Sequence, residues 1–585
     1  MVTAKNPSPL TKDSELSNAL SACKSAFYSV GLFSLGINLL LLLPSIYMLQ
    51  VYDRVLPSSS ESTLVMLTLI ALFFFVIMGA LEWSRAQMMN VVSLRVDALL
   101  SGRIYDAMFI QTLASGGRSA TAQPLNDLHQ LRQFMTGPGL FAFFDAPWLP
   151  IYIFVLFLFH PAFGSVAIGS GIILLLIAFW NEKATHSDHE KASKEASAAQ
   201  QITQANLRNA EVIEAMGMLP QLKQRWKSRQ SQHLSFQSRA TAKGGLITAL
   251  SKLFRLSIQS LILGLGAYLA IHREISPGLV VAGSILLGRA LAPLDQIIAH
   301  WRGLLHALQA YQHLDKLLTS IPAKSETMPL PAVAGEIRVE NCVVTPPGAE
   351  SPVLKGISFV LEPGMHLAIV GPSAAGKSTL ARALLGLYIP DSGAVRLDGA
   401  ELNQWDRPEL GKYLGYLPQD VELLEGSISE NIARFDEIDP EQVVFAAQKA
   451  GIHEMILRLP AGYDTRIEGQ GNVLSAGQRQ RLGLARALYN NPQFILLDEP
   501  NSNLDHEGDA ALQNTLVTLK KSNKTVIVIT HRGNILSLMD KILLIAHGEI
   551  VHYGARDQVL NAIQQSAQKP ATPAEAVSLK ASFTM

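Results

Sequence analysis

Apolar residues are distributed along the chain in two distinct ways. In the first half they come in long runs: Tyr28–Leu49, Leu64–Leu81, Phe141–Phe159, Ala162–Trp180, Leu246–Ala270 and Leu279–Ile298. A helix that crosses the hydrocarbon of a bilayer needs ~20 mostly apolar residues. The second and fourth runs, "LVMLTLIALFFFVIMGAL" and "AFGSVAIGSGIILLLIAFW", meet that length without a charge. The fifth carries Lys252 and Arg255 early, so its membrane part is expected from about Leu256 onward. The sixth is interrupted by Arg289 and Pro293. Buried helices of a soluble domain do not account for six such runs, and an all-α domain with six transmembrane helices is predicted. Beyond the Pro-rich stretch 322–333 the pattern changes to short β runs alternating with helices, which is an α/β arrangement. The expected domains are therefore a transmembrane domain at 1–320, a linker at 321–336, an α/β domain at 337–562 and a disordered polar tail at 563–585.

Basic residues set the expected orientation. Segment 84–140 holds Arg85, Arg95, Arg103, Arg118 and Arg132, and segment 181–245 holds ten Lys and Arg. The short links at 50–63, 160–161 and 271–278 hold only Arg54 and Arg273. Positive charge stays inside, so both termini and both long loops are expected in the cytoplasm. Those loops are too long for turns and read as helices running on below the membrane, for example Gln200–Gly217. The polar first 25 residues lack the apolar segment of a cleaved signal, so the first span is expected to stay.

Composition narrows the classes further. Charged residues make up 16% of the 585, well below the ~25% of a soluble domain. Lys plus Arg and Asp plus Glu both number 48, so no overall basic field for nucleic acid exists. Cys23 and Cys342 are the only cysteines, which excludes a disulfide framework and a Cys-rich metal site.

The α/β half carries the chemistry. "LAIVGPSAAGKSTLARALLGL" is a buried strand, a Gly-rich turn and a helix. Gly371, Gly376, Lys377 and Ser378 fit G-x-x-x-x-G-K-[ST], with Pro372, Ser373, Ala374, Ala375 and Thr379 completing the loop. Such a turn lets backbone N–H groups converge on phosphate oxygens, and the helix N-terminus adds positive potential. Lys377 would reach the β- and γ-phosphates of ATP, and Ser378 would supply a hydroxyl to Mg2+. "QFILLDEP" ends a doubly apolar strand in Asp498 and Glu499. Asp498 is placed for Mg2+, directly or through water, and Glu499 for the proton of the attacking water.

These segments, with Gln419 in "YLPQD", "LSAGQ", "NSNLD" and His531 in "VIVITHR", stand in the order typical of ABC-transporter ATPases, which this chain resembles over nearly its whole length. The resemblance implies that Ser475, Gly477 and Gln478 of the signature segment close over the nucleotide held by a second subunit. It also implies that Gln419 senses Mg2+ and the attacking water, that His531 holds the γ-phosphate and that Asp505 lies at the dimer seam. Where family members often stack an aromatic residue on adenine, this chain has Pro346, and Glu468 stands one position early for the usual Gly-Glu-x-Gly.

"YMLQVYDRVLPSSSESTL", "TGPGLFAFFDAPWLPIY", "RNAEVIEAMGM" and "LLGRALAPLDQI" resemble type I secretion exporters, in particular the branch exporting alkaline proteases, lipases and haem-acquisition proteins. That resemblance implies a homodimer in the bacterial inner membrane, working with a periplasmic adaptor and an outer-membrane channel protein. Its substrate would be an unfolded polypeptide with a C-terminal signal. About 27 residues precede the first span, so the N-terminal peptidase-like domain of other type I exporters is not expected. Two alternatives are a lipid or drug exporter and a membrane-anchored regulatory ATPase. Arg289 is expected to line the central path of the dimer near Asp145. The basic cluster Lys223, Arg225, Lys227 and Arg229 is expected to meet substrate or anionic headgroups.

Overall fold

A computed structural model describes residues 14–117, 121–322, 333–468 and 474–568. Most of the linker, Arg118 and the tail beyond Gln568 lie outside the described residues. The chain forms two compact units, one of residues up to 323 apart from 111–119, the other of 324 onward together with 111–119.

Among the described residues of the first unit, six helices are long and apolar enough to cross a membrane, at Lys24–Ser58, Glu61–Ala114, Pro138–Phe159, Pro161–Arg208, Leu219–Ile271 and Pro277–Ser320. Each contains one predicted run. Four of them have 44 to 54 residues, about 65–80 Å at 1.5 Å per residue, more than twice the ~30 Å of hydrocarbon. The excess forms the extensions expected from the long polar segments. Side chains such as Met66, Phe73 and Val76 are exposed, as lipid-facing positions are.

Several local expectations are corrected. The link at 50–63 is mostly helical, because a π-helical stretch at Val51–Val55 carries the first span on to Ser58. That stretch aims Asp53 at the start of the last helix, where its carboxylate accepts from Gly278 N (2.8 Å) and Ser276 Oγ (2.5 Å). A Cβ on Gly278 would stand 2.6 Å from Asp53 Oδ1, so a side chain there would collide with this cap. Pro293 does not break the sixth helix, which runs unbroken from Pro277 to Ser320 with Pro293 buried. Gln200–Gly217 is not one helix: it turns at Asn209 into a short segment, Ala210–Ala215.

Asp145, near which Arg289 was expected, makes its bonds to other residues. Its Oδ1 accepts from Arg85 Nη1 and Asn38 Nδ2, each at 2.9 Å. Arg85 also donates to Ser34 Oγ (2.9 Å), and Tyr152 Oη donates to Asn38 Oδ1 (2.8 Å). Arg85 lies inside the second helix and is buried. A carboxylate and a hydroxyl meet its Nη1, and the Phe141 ring lies 4.5 Å from its Cζ, so the buried charge is paired although its Nε has no hydrogen-bond partner among the described residues. Arg289 is exposed on its protomer. Of the basic cluster, Arg229 is paired with Glu195 at 3.0 Å.

Among the described residues the second unit has twelve strands: β1 Ile337–Val344, β2 Leu354–Leu361, β3 His366–Val370, β4 Ser392–Leu397, β5 Ala400–Glu401, β6 Leu414–Leu417, β7 Gly426–Ser427, β8 Arg466–Ile467, β9 Phe494–Asp498, β10 Thr525–Ile529, β11 Lys541–Ala546 and β12 Glu549–Ala555. The central sheet has the order β12-β11-β3-β10-β9-β6 and is parallel except at β12. β1, β2, β4 and β5 form an antiparallel sheet, and β7 pairs with β8. Alternate residues of the central strands enter two different cores. Ala368, Val370, Ile495, Leu497, Val526 and Val528 pack with the helices that contain Leu482, Leu484, Leu512 and Leu516. Leu367, Ile369, Leu496, Ile527 and Ile529 pack with β1, β2 and Leu380–Leu385. The period of two along a strand, covered on both faces, explains the unbroken apolar runs. The last helix extends to Gln568, past the expected boundary at 562, with Val559 and Ile563 buried in the first core.

Candidate active site

Parallel pairing brings the carboxyl ends of four strands to one edge. Ile529 of β10 is level with Ile369 of β3 and Asp498 of β9, and Leu417 of β6 is level with Leu497. The residues that follow these ends are Gly371, His531, Glu499 and Gln419, distant in sequence and gathered by register alone.

The phosphate loop leaves β3 through Gly371, where a Cβ would stand 2.1 Å from Ile545 O. It closes at Gly376 (φ +102°), where a Cβ would meet Leu354 Cδ2 at 2.9 Å. Ala375 is buried, whereas Ser373, Ala374 and Ser378 are exposed. The helix Lys377–Leu384 starts at Gly376, so its first N–H groups face the loop. Lys377 Nζ donates to the carbonyls of Gly371 (2.8 Å) and Pro372 (2.9 Å), which holds the ammonium over the loop. Burial lowers the Lys377 pKa, and the nearby Glu499 and Asp498 oppose that shift.

Asp498 is buried at the end of β9, and burial followed by the negative charge of Glu499 pushes its carboxyl up to about 6. Glu499 sits in the left-handed region (φ +47°), with its N–H on Ile529 O (3.0 Å). That conformation turns its side chain to Gln419, whose Nε2 donates to Glu499 Oε2 at 3.0 Å. The two residues singled out from separate motifs are thus direct partners.

Ser475 is exposed at the N-cap of the helix Ala476–Leu488. It forms a reciprocal capping box with Gln478: Gln478 N donates to Ser475 Oγ (3.3 Å), and Ser475 N donates to Gln478 Oε1 (2.9 Å). A Cβ on Gly477 would lie 2.8 Å from Asn503 O, so this position takes no side chain without a shift. Asp505 is the exposed N-cap of His506–Lys521, accepting from Gly508 N at 2.8 Å. His531 is exposed just beyond β10. Pro346 accepts the Ala349 N–H (3.0 Å) in a turn, and the preceding Thr345 N is tied to Asp391 (2.7 Å). Glu468 is exposed beside residues 469–473, which lie outside the described residues.

Sequence reading missed Gln480. It is buried, and its Nε2 donates to Glu499 O (3.0 Å) and Ser502 Oγ (3.3 Å) while its Oε1 accepts from Asn503 N (3.0 Å). It therefore joins the helix that bears Ser475 to the backbone of Glu499. The available signal was an amide at the i−4 and i−7 positions of Leu484 and Ala487, on the apolar face of an amphipathic helix.

The membrane-domain profile described as the ABC transporter transmembrane region matches residues 27–292, and the ABC transporter profile matches 354–502. The chain is 43% identical to the type I secretion system ATP-binding protein PrsD of Rhizobium meliloti (strain 1021), over 94% of this chain and 95% of that protein. It is 28% identical to the leukotoxin translocation ATP-binding protein LktB of Mannheimia haemolytica, over 92% and 76% of the two chains. A bacterial Atm1-family ABC exporter solved with ATP bound shares the fold, with a TM-score of 0.80 at 22% identity, covering 95% of this chain and all of that one. A multi-pass membrane unit, a phosphate loop at a parallel sheet edge and these relatives together place the chain in the ABC transporter family, as an ATP-hydrolysing exporter of the type I secretion group.

Proposed function

We propose that two copies of this chain form a homodimer in the bacterial inner membrane that exports an unfolded polypeptide bearing a C-terminal signal. Both termini would be cytoplasmic, and a periplasmic adaptor and an outer-membrane channel protein would complete the conduit. The protomer comprises a transmembrane domain at 1–320, a linker at 321–336 and a nucleotide-binding domain from 337.

The observation that carries this reading is the pairing of one phosphate loop with one exposed signature helix per chain. Ser475 stands at a helix N-terminus whose N–H groups suit an anion. Two chains would supply two composite sites, each with the phosphate loop Gly371–Thr379 of one copy and Ser475, Gly477 and Gln478 of the other. Asp505 would lie at the seam. Mg2+ fits the donors at hand, since Asp498, Ser378 and Gln419 offer a carboxylate, a hydroxyl and an amide oxygen, all hard ligands. When bound, the ion would neutralise charge on the phosphates. Lys377 binds the phosphates, Gln419 orients the attacking water, Glu499 takes its proton and His531 steadies the γ-phosphate. The 43% relative from a type I secretion system supports the substrate class.

The test uses the reconstituted homodimer and the C-terminal piece of a secreted protein encoded beside it. Binding of that piece with a change in ATPase rate is expected. If the piece does neither while a lipid or small amphiphile stimulates hydrolysis, polypeptide export is wrong and the lipid or drug reading replaces it.

A further inference from the structure

We propose that Arg434 is a positioning residue for ATP hydrolysis, tying the C-terminal end of the signature helix to the start of β6 so that Ser475 and Gln419 are held in one rigid frame. This rests on the roles proposed above for those two residues.

Arg434 follows the short helix Ile428–Ile432, and both it and Phe435 have φ of +59°. Two successive side chains in the left-handed region are disfavoured and persist only where other contacts hold them. The contacts here are made by the guanidinium. Nε donates to Arg486 O (3.0 Å), Nη1 to Gly411 O (2.5 Å) and Leu414 O (3.0 Å), and Nη2 to Ala487 O (3.1 Å) and Tyr489 O (3.2 Å). All five N–H donors of the group meet a backbone carbonyl.

The acceptors belong to three elements, the signature helix on one side and the consecutive helix Arg407–Tyr413 and β6 on the other. Arg486, Ala487 and Tyr489 end the signature helix, where carbonyls lack intrahelical partners and the helix dipole is negative. Gly411 lies in the last turn of Arg407–Tyr413, and Leu414 opens β6. The other end of the signature helix presents Ser475, and β6 leads within two residues to Gln419. The same junction is closed to side chains elsewhere: a Cβ on Gly415 would stand 2.3 Å from Ala487 O, and one on Gly483 would stand 2.8 Å from Val421 Cγ1. Arg486 Nη1 adds a bond to Glu422 O (3.2 Å), just past Gln419. Arg434 is thus the central fastener of a joint between two elements that both feed the site, and it touches no proposed site residue itself. A lysine could keep the charge but not the planar five-donor fork.

The test uses the full-length chain reconstituted in lipid. ATP affinity is measured by equilibrium binding in a Glu499→Gln background, and kcat is expressed per ATP-binding chain. Arg434→Ala is expected to bind ATP within about threefold of the parent and to lose at least about tenfold in kcat, with KM little changed, because the phosphate loop is untouched. Arg434→Lys is expected to fall nearly as far, and carries the test by the same criteria should the alanine variant not fold. A purely stabilising role would lower the melting temperature or the yield and leave kcat per binding chain unchanged, and that result overturns the proposal. Ser475→Arg, measured alongside, separates the two possible failures. Full turnover in Ser475→Arg overturns the role given to the signature helix, and this proposal with it. Lost turnover in Ser475→Arg with unchanged kcat in Arg434→Ala overturns the Arg434 tie alone.

Discussion

Replacing Gln480 by Met tests whether the buried amide holds Glu499 in place. The volume is nearly conserved, so the change removes hydrogen bonds rather than packing. Glu499 O and Asn503 N lose their partners, while the Ser502 hydroxyl is exposed and turns to water. Leaving a buried polar group unmet costs about 1–3 kcal/mol; Asn503 is exposed and its N–H can turn to water, so the cost rests on the Glu499 carbonyl and should be about 1–3 kcal/mol of stability. For a unit of this size that is a fall of roughly 2–10 °C in melting temperature. Glu499 also sits at φ +47°, a conformation that costs an L-residue about 1–2 kcal/mol. Freed at its carbonyl, it should relax and move away from Gln419, now 3.0 Å distant. A displacement of about 1 Å in a catalytic group costs up to ~100-fold, so kcat should fall between about tenfold and 100-fold. KM for ATP should stay close to that of the parent. Steady-state ATPase assays and differential scanning calorimetry of the purified transporter read both effects. A lowered melting temperature with an unchanged kcat would refute the link from Gln480 to Glu499.

Glu499→Gln should lower ATP turnover by ~10²–10⁴ while ATP binding persists, and near-normal hydrolysis would remove Glu499 as the base. Lys377→Ala and Ser475→Arg chains, each inactive alone, should recover partial ATPase activity when mixed; no recovery would count against sites shared between subunits. Burial lowers the His366 imidazole to about 4, below its unfolded value near 6.5, so the unfolded chain takes up this proton first as pH falls. Stability from neutral His366 is whole above about pH 6.5 and is lost toward pH 4, at up to ~1.4 kcal/mol per unit and ~3 kcal/mol in all. Denaturant midpoints of His366→Gln should therefore decline less steeply over that range, and parallel slopes would exclude the effect. Asp145→Ala strands the buried Arg85 in the membrane domain, so it should cost about 3–5 kcal/mol and sharply reduce the folded yield, while Arg85→Met/Asp145→Leu together should recover much of it.

The sequence alone determined the elements whose signals are local. Lipid demands ~20 apolar residues in an unbroken run, so six spans were legible. A phosphate loop demands glycines at fixed spacing beside a lysine, so Gly371, Gly376 and Lys377 were legible too. Strands buried on both faces demand continuous apolar residues, which marked Phe494–Leu497. What tertiary structure decided depends on partners far apart in the chain. The sequence set Arg289 near Asp145 but did not show that Asp145 bonds Arg85 and Asn38, because only folded helices reveal which charges share a buried layer. The π-helical turn that brings Asp53 to Gly278 joins positions 225 residues apart. Gln419 and Glu499, 80 residues apart, meet because β6 and β9 pair in parallel and end at the same level. Gln480 and Arg434 were not singled out from the sequence. Their carbonyl and N–H partners are backbone groups, which every residue possesses and no side-chain pattern can announce.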